Sequence, residues 1–527
     1  MATLWTGGTI YTMEKTGETV EAVLEKDGQI VAVGTVDSLL PQATTVRDLQ
    51  GNVMYPGFVD SHLHIIGYGE KLMHIDVSNV TSKEELLHII GERMQGTSSE
   101  QWVVAIGMNE TGYAEPIFPT LSELDALGEA HLIIKRSCHH LILANSKALA
   151  FAGITNDTPS PEGGIIDKKN GQLTGVLKDT ALYLIVNHMP YYTPEYIEEA
   201  LQKSIASLQS YGLVGGHSED LSYFGPPSQP INAYRKIVDA QQSFKVHLLQ
   251  HHTVFEEVAL LNEQSTTYVQ FGAMKIFVDG AFGGRTAALR EPYCDDPNNY
   301  GILVHSTTQL EQYVQLARRH GQTVAVHAIG DLAIDTILDV FAAFPPREGQ
   351  LDRLIHCSLI DEVILDKLAA LPIAVDMQPQ FVQGEYLAEL VKLGEKRAQG
   401  LHPLKSLLDR GLIVAGGSDA PIEVPNPLYG IYAAVTRRNF GESHHGFGPQ
   451  EKISRFDAVR LYTVGSAEII GQEHARGKIK EGFSADFTVF EDDIFAVDIE
   501  KVPHIQVAYT VVDGRIVYES KKNRCEA

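Results

Sequence analysis

The chain is short of cysteine, of long apolar runs and of positive charge, and each shortage removes a class of protein. Four cysteines in 527 residues, Cys138, Cys294, Cys357 and Cys525, show neither paired metal-ligand spacing nor a disulfide framework, so they read as free thiols. No stretch approaches the roughly 18 to 20 consecutive apolar residues that a spanning helix needs. With 44% hydrophobic and 21% charged residues the chain reads as a soluble globular protein. Met1 to Gly8 lack a basic segment followed by an apolar one, so a cytoplasmic location is expected. A net charge of −25 repels a phosphate backbone, and no basic stripe with interleaved aromatics offsets it. The expected partner is a small-molecule substrate, with neither nucleic acid nor membrane, and a homodimer is left open.

A chain of this length can hold a barrel of roughly 250 to 400 residues plus a second module. Both ends alternate apolar and polar residues around Asp-Gly turns, at Asp27-Gly28 and Asp513-Gly514, which are hairpin signals. Residues 1–55 and 475–527 are therefore expected to form one composite β-sandwich. Between them, apolar β-branched runs alternate with helical patterns, the mark of parallel βαβ units. Met274–Val278, Thr323–His327, Arg353–His356 and Ile373–Met377 read as strands, and Leu412–Asp419 as a further one with its following turn. The fold class is accordingly α/β, a (β/α)8 TIM-like barrel over 56–474. The span of about 67–223 is longer than two βα units require, which predicts an insertion covering the barrel mouth.

Several strand ends carry polar residues suited to chemistry. In Asp60-Ser61-His62-Leu63-His64, strand alternation puts the two imidazoles on one face, the arrangement a divalent cation needs. A His-x-His is common by chance in a chain with 21 histidines, so position matters more than pattern. His327 and His356 each end an apolar strand, one βα unit apart, and form a second imidazole pair. Asp419 follows a strand and the Gly416-Gly417 pair, and a carboxylate there can hold a metal and accept a proton; an ordinary turn or N-cap aspartate is the alternative. Lys275 lies on a strand where a free ammonium facing metals would be repelled. Either it points elsewhere or its charge is removed, for instance as a carbamate formed with CO₂. Arg285, in Gly283-Gly284-Arg285-Thr286, could hold a substrate carboxylate or an ordinary salt bridge.

Taken jointly, these residues resemble the amidohydrolase superfamily, in its YtcJ-like and N-substituted formamide deformylase-like branch. The likeness covers nearly the whole chain. It rests on Pro56–His64, Lys275–Ala287, Val326–Asp331, Gly417-Ser418-Asp419, Tyr462–Ala467 and Gly477–Val489. The resemblance implies that His62 and His64 bind one metal and His327 and His356 the other. It also implies that carboxylated Lys275 bridges them and that Asp419 binds metal and contacts the metal-activated water. His140 and His217 resemble family positions near the substrate pocket. The chain departs from the usual family pattern at Cys138-His139-His140 and at Gly212-Leu213-Val214, which puts substrate contacts in doubt more than metal binding.

Two divalent ions per chain are expected, with zinc first and iron, manganese or nickel also suiting the ligands. The expected reaction is hydrolysis of a C–N bond in an N-substituted amide or formamide, with Asp419 carrying the proton. A deaminase or cyclic-amide hydrolase on the same scaffold is the nearest alternative. A non-catalytic metal- or ligand-binding protein is the other.

Overall fold

The computed structural model describes residues 1–520 except 114, 116, 137–140, 162, 190–192, 239–241 and 261–264. The chain divides into two compact units, Met1–Tyr68 with Leu201–Ala527, and Gly69–Ala200.

In the first unit both chain ends build β-structure. A four-stranded sheet uses N-terminal residues alone, with Ala2–Thr6 between Ala22–Lys26 and Thr45–Asp48. A six-stranded sheet joins the termini: Val53–Pro56 pairs antiparallel with Phe487–Phe490, which pairs with Val507–Val512, and that with Arg515–Glu519. Trp5, Val23, Met54, Phe487 and Val511 share one buried core drawn from both ends of the sequence. Asp27 and Gly28 have φ of 53° and 83°, and Asp513 and Gly514 47° and 73°. Positive φ at both central residues is what the tight hairpin turns of right-twisted strands require, and it explains the two Asp-Gly pairs.

The central sheet has eight strands, labelled β1 (Phe58–Leu63), β2 (Leu213–Ser218), β3 (Lys245–His251), β4 (Val269–Phe277), β5 (Val324–Ala328), β6 (Asp352–His356), β7 (Ile373–Met377) and β8 (Ile413–Gly416). Each pairs in parallel with its neighbour in that order. Parallel strands covered on both faces lack polar alternation, and every residue of β6 and β7 is buried, including charged ones. The connecting helices include Thr307–Arg319, where Ser306 and Gln309 form a capping box, and Asp331–Ala343. β1 and β8 end the hydrogen-bonded order and meet at their C-terminal ends. The Asp419 N–H donates to the His62 carbonyl (2.8 Å), and the His64 N–H to the Ala420 carbonyl (2.8 Å). At the opposite end, the buried Lys245 ammonium of β3 donates to Asp486 (2.6 Å) and Asp513 (2.7 Å), fastening the barrel to the terminal sheets.

The second unit is built on its own six-stranded mixed sheet. Its strand His131–Arg136 sends Leu132 and Ile134 into one apolar cluster and Ile133 into another, so both faces of the sheet are covered. Among the described residues of the chain, no helix is long and apolar enough to cross a membrane.

Candidate metal centre

The barrel brings six of the nine predicted site residues to its C-terminal strand ends. His62 is in β1 with His64 just beyond it, Lys275 is in β4, His327 in β5, His356 ends β6, and Asp419 follows β8. His62 Nε2 and His64 Nε2 each stand 3.5 Å from Asp419 Oδ1. Ligand atoms of these three residues all lie within 4.8 Å of one another, a spacing a single cation can bridge. Lys275 Nζ lies 3.2 Å from His62 Nε2 and is fully buried. The His62 and His356 rings are 5.8 Å apart and the His327 and His356 rings 4.5 Å, so the two imidazole pairs adjoin.

The outer nitrogens of three rings are held so that the inner ones face the centre. His64 Nδ1–H donates to the Glu219 carbonyl, His356 Nδ1–H to Gln378 Oε1 (2.7 Å), and His327 Nε2–H to the Gly280 carbonyl (3.1 Å). Such partners fix the tautomer and orientation of metal-binding histidines. The donor set therefore fits a divalent cation. Asp419 and His356 both sit in the left-handed backbone region, with φ of 56° and 72°. Each such residue costs on the order of 1–3 kcal/mol and persists where the surroundings enforce it, as they do at functional sites.

Electrostatics agree with the geometry. Burial brings the Lys275 amine down to about 8, although Glu219 and Asp419 pull the other way. Burial also takes His356 down to about 4, and drives His62 and His327 well below the ordinary imidazole range. These rings are neutral, the state in which they bind metal. Burial would lower His64 too, but the hydrogen bond and charge of Asp419, with Glu219 and Asp220, raise it to about 9. Asp419 is correspondingly lowered against its burial. A cation held by His64 and Asp419 would take the place of the proton on His64.

The site also rests on groups beyond the predicted site residues. Asp60 accepts from the His62 N–H (3.1 Å) and from Ser418 Oγ (2.6 Å), and burial raises its carboxyl to about 7. Asp279, just after β4, accepts from the backbone N–H groups of Ala288, Ile329 and Gly330 and so fixes the loops after β4 and β5. Gln378 and Glu219 each stand within two residues of the end of an apolar strand, the one sequence signal that could have found them.

The remaining predicted residues fall elsewhere. Arg285 is partly exposed and spends its fork on Asp295, at 3.2 and 2.7 Å, so the structure shows the salt bridge rather than a free anion clamp. His217 is buried with its ring 5.2 Å from that of His247, and it lines a small cavity with Lys245 and Asp486 on the β3 base side. His140 lies outside the described residues, as do Cys138 and Cys525. Cys294 and Cys357 are free thiols.

A parallel eight-stranded barrel with imidazoles, a lysine and an aspartate converging at its C-terminal strand ends defines a metal-dependent hydrolase. The chain belongs to the amidohydrolase family, whose model matches residues 45–518. It is 44% identical to YtcJ of Bacillus subtilis (strain 168), an amidohydrolase by name, over 98% of this chain and all of that one. It is 27% identical to the N-substituted formamide deformylase of Arthrobacter pascens over 97% of both chains. Among solved structures, an uncharacterized metal-dependent hydrolase from Pyrococcus horikoshii superposes with a TM-score of 0.79 at 25% identity, covering 95% of this chain and 99% of that one.

Proposed function

We propose that the protein hydrolyses the C–N bond of an amide-like small molecule, an N-substituted amide or formamide. The observation that carries this is the meeting of His62 Nε2, His64 Nε2 and Asp419 Oδ1, with buried Lys275 beside His62. His62 and His64 would hold one divalent cation and His327 and His356 a second, with Lys275 between them as an anionic carbamate and zinc as the first choice of metal. When bound, such ions lower the pKa of a water toward 7 and polarise a substrate carbonyl. Asp419 would take the proton of the attacking water and deliver it to the departing nitrogen. The full sequence likeness to the formamide deformylase favours this bond class.

The test is Asp419→Asn against wild type on a panel of N-substituted formamides, amides and amino-purines, reading both amine and ammonia release. Amine release by the wild type, lost in the variant while metal stays bound, supports the reading. Ammonia release from the amino-purines alone would replace it with deamination.

A further inference from the structure

The metal centre straddles the one junction of the barrel where the strand order ends. His62 belongs to β1 with His64 just beyond it, and Asp419 follows β8. A shift of either strand end along this seam moves one set of ligand atoms relative to the other. Beneath the site lies Arg353, a fully buried arginine of β6, three residues before His356.

Its fork reaches two other strands. Arg353 Nη2 donates to the carbonyl of Ser61 (2.8 Å), the residue before His62 in β1. Arg353 Nε donates to Asp376 Oδ2 (2.9 Å) in β7, two residues before Gln378, which in turn holds His356. Because β8 lies between β7 and β1 in the closed order, this single side chain spans the seam from within the barrel. Ser61 is one residue from His62, and Asp376 is two residues from Gln378, the acceptor of the His356 Nδ1–H.

Stability alone is a weak reason for such a group. A buried ion pair can often be replaced by apolar residues with neutral or favourable effect, and Arg353 Nη1 is buried with no hydrogen-bond partner among the described residues. Lysine could keep the charge but not the two-way fork. We propose that Arg353 is a positioning residue for the metal centre: by tying Ser61 of β1 to Asp376 of β7, it sets the spacing across the β1–β8 seam on which His62, His64 and Asp419 converge.

This inference rests on the metal-centre reading above, and the test separates the two. Wild type, Arg353→Lys and the paired apolar variant Arg353→Met with Asp376→Leu are loaded with Co(II). Affinity is then measured by chelator competition, geometry by the visible absorption spectrum, and folding by thermal melting. The expected result is cooperative melting in both variants, a loss of Co(II) affinity of about tenfold or more, as for other groups that orient metal ligands, and a changed absorption envelope. A folded paired variant with wild-type affinity and spectrum overturns the proposal. If the paired variant does not fold, Arg353→Lys decides: a wild-type spectrum and affinity there overturns it equally. Failure of the wild type to take up Co(II) would instead remove the metal centre itself.

Discussion

Gly417 lies so close to His62 that a Cβ on it would stand 2.6 Å from the His62 amide nitrogen and 2.9 Å from its carbonyl oxygen. Real Cβ atoms do not approach backbone this closely, and both atoms belong to β1, which carries His62. The glycine is thus what lets the β8 turn press against β1, so that Asp419 can donate its N–H to the His62 carbonyl. Gly417→Ala should cost about 1–3 kcal/mol through overpacking, seen as a lower melting temperature, and should weaken metal binding at the same time. Unchanged melting and metal content would mean that the seam has slack.

Ser418→Ala tests the buried carboxylate beneath the site. It removes the 2.6 Å bond to Asp60 and leaves that oxygen with a backbone donor only. Loss of a partner from a buried polar group costs about 1–3 kcal/mol. Chemical denaturation should show a lower midpoint with an unchanged slope.

Gln378→Leu should weaken metal binding without removing a ligand. His356 would lose the acceptor of its Nδ1–H and with it a fixed orientation. Changes of this kind cost about 10- to 100-fold in affinity, measurable by chelator competition.

Lys275 offers a chemical test. A fully buried amine held down to about 8 reacts with CO₂ more readily than an exposed one. Metal-free protein reconstituted with bicarbonate should recover more metal than protein reconstituted in CO₂-depleted buffer, and intact mass should rise by one CO₂. Lys275→Arg, which stays charged, should recover little in either buffer.

Much of this was legible in the sequence, for identifiable reasons. Strands such as Ile373–Met377 agree residue for residue because buried parallel strands are predominantly apolar runs. The helix Thr307–Arg319 begins directly after Ser306, a serine cap of the kind a sequence shows. The convergence of the candidate site residues was legible because they sit at or near strand ends, which barrel geometry gathers. Arg353 and Asp376 were not, since a charged residue inside an apolar run gives no sign of whether it faces inward. His217 lies one residue before the end of β2, and its ring packs against that of His247, a contact that spacing does not encode. Arg285 was ambiguous because its partner Asp295 is a loop residue, and periodicity says nothing about loop contacts.

The most direct test of the central claim is the metal content of purified protein by plasma mass spectrometry, for the wild type and for His62→Ala and Lys275→Ala. The account predicts about two ions per chain in the wild type and loss in both variants. One ion unaffected by Lys275→Ala would contradict the bridged pair, and no metal after growth and purification with added metal would contradict the metal centre altogether.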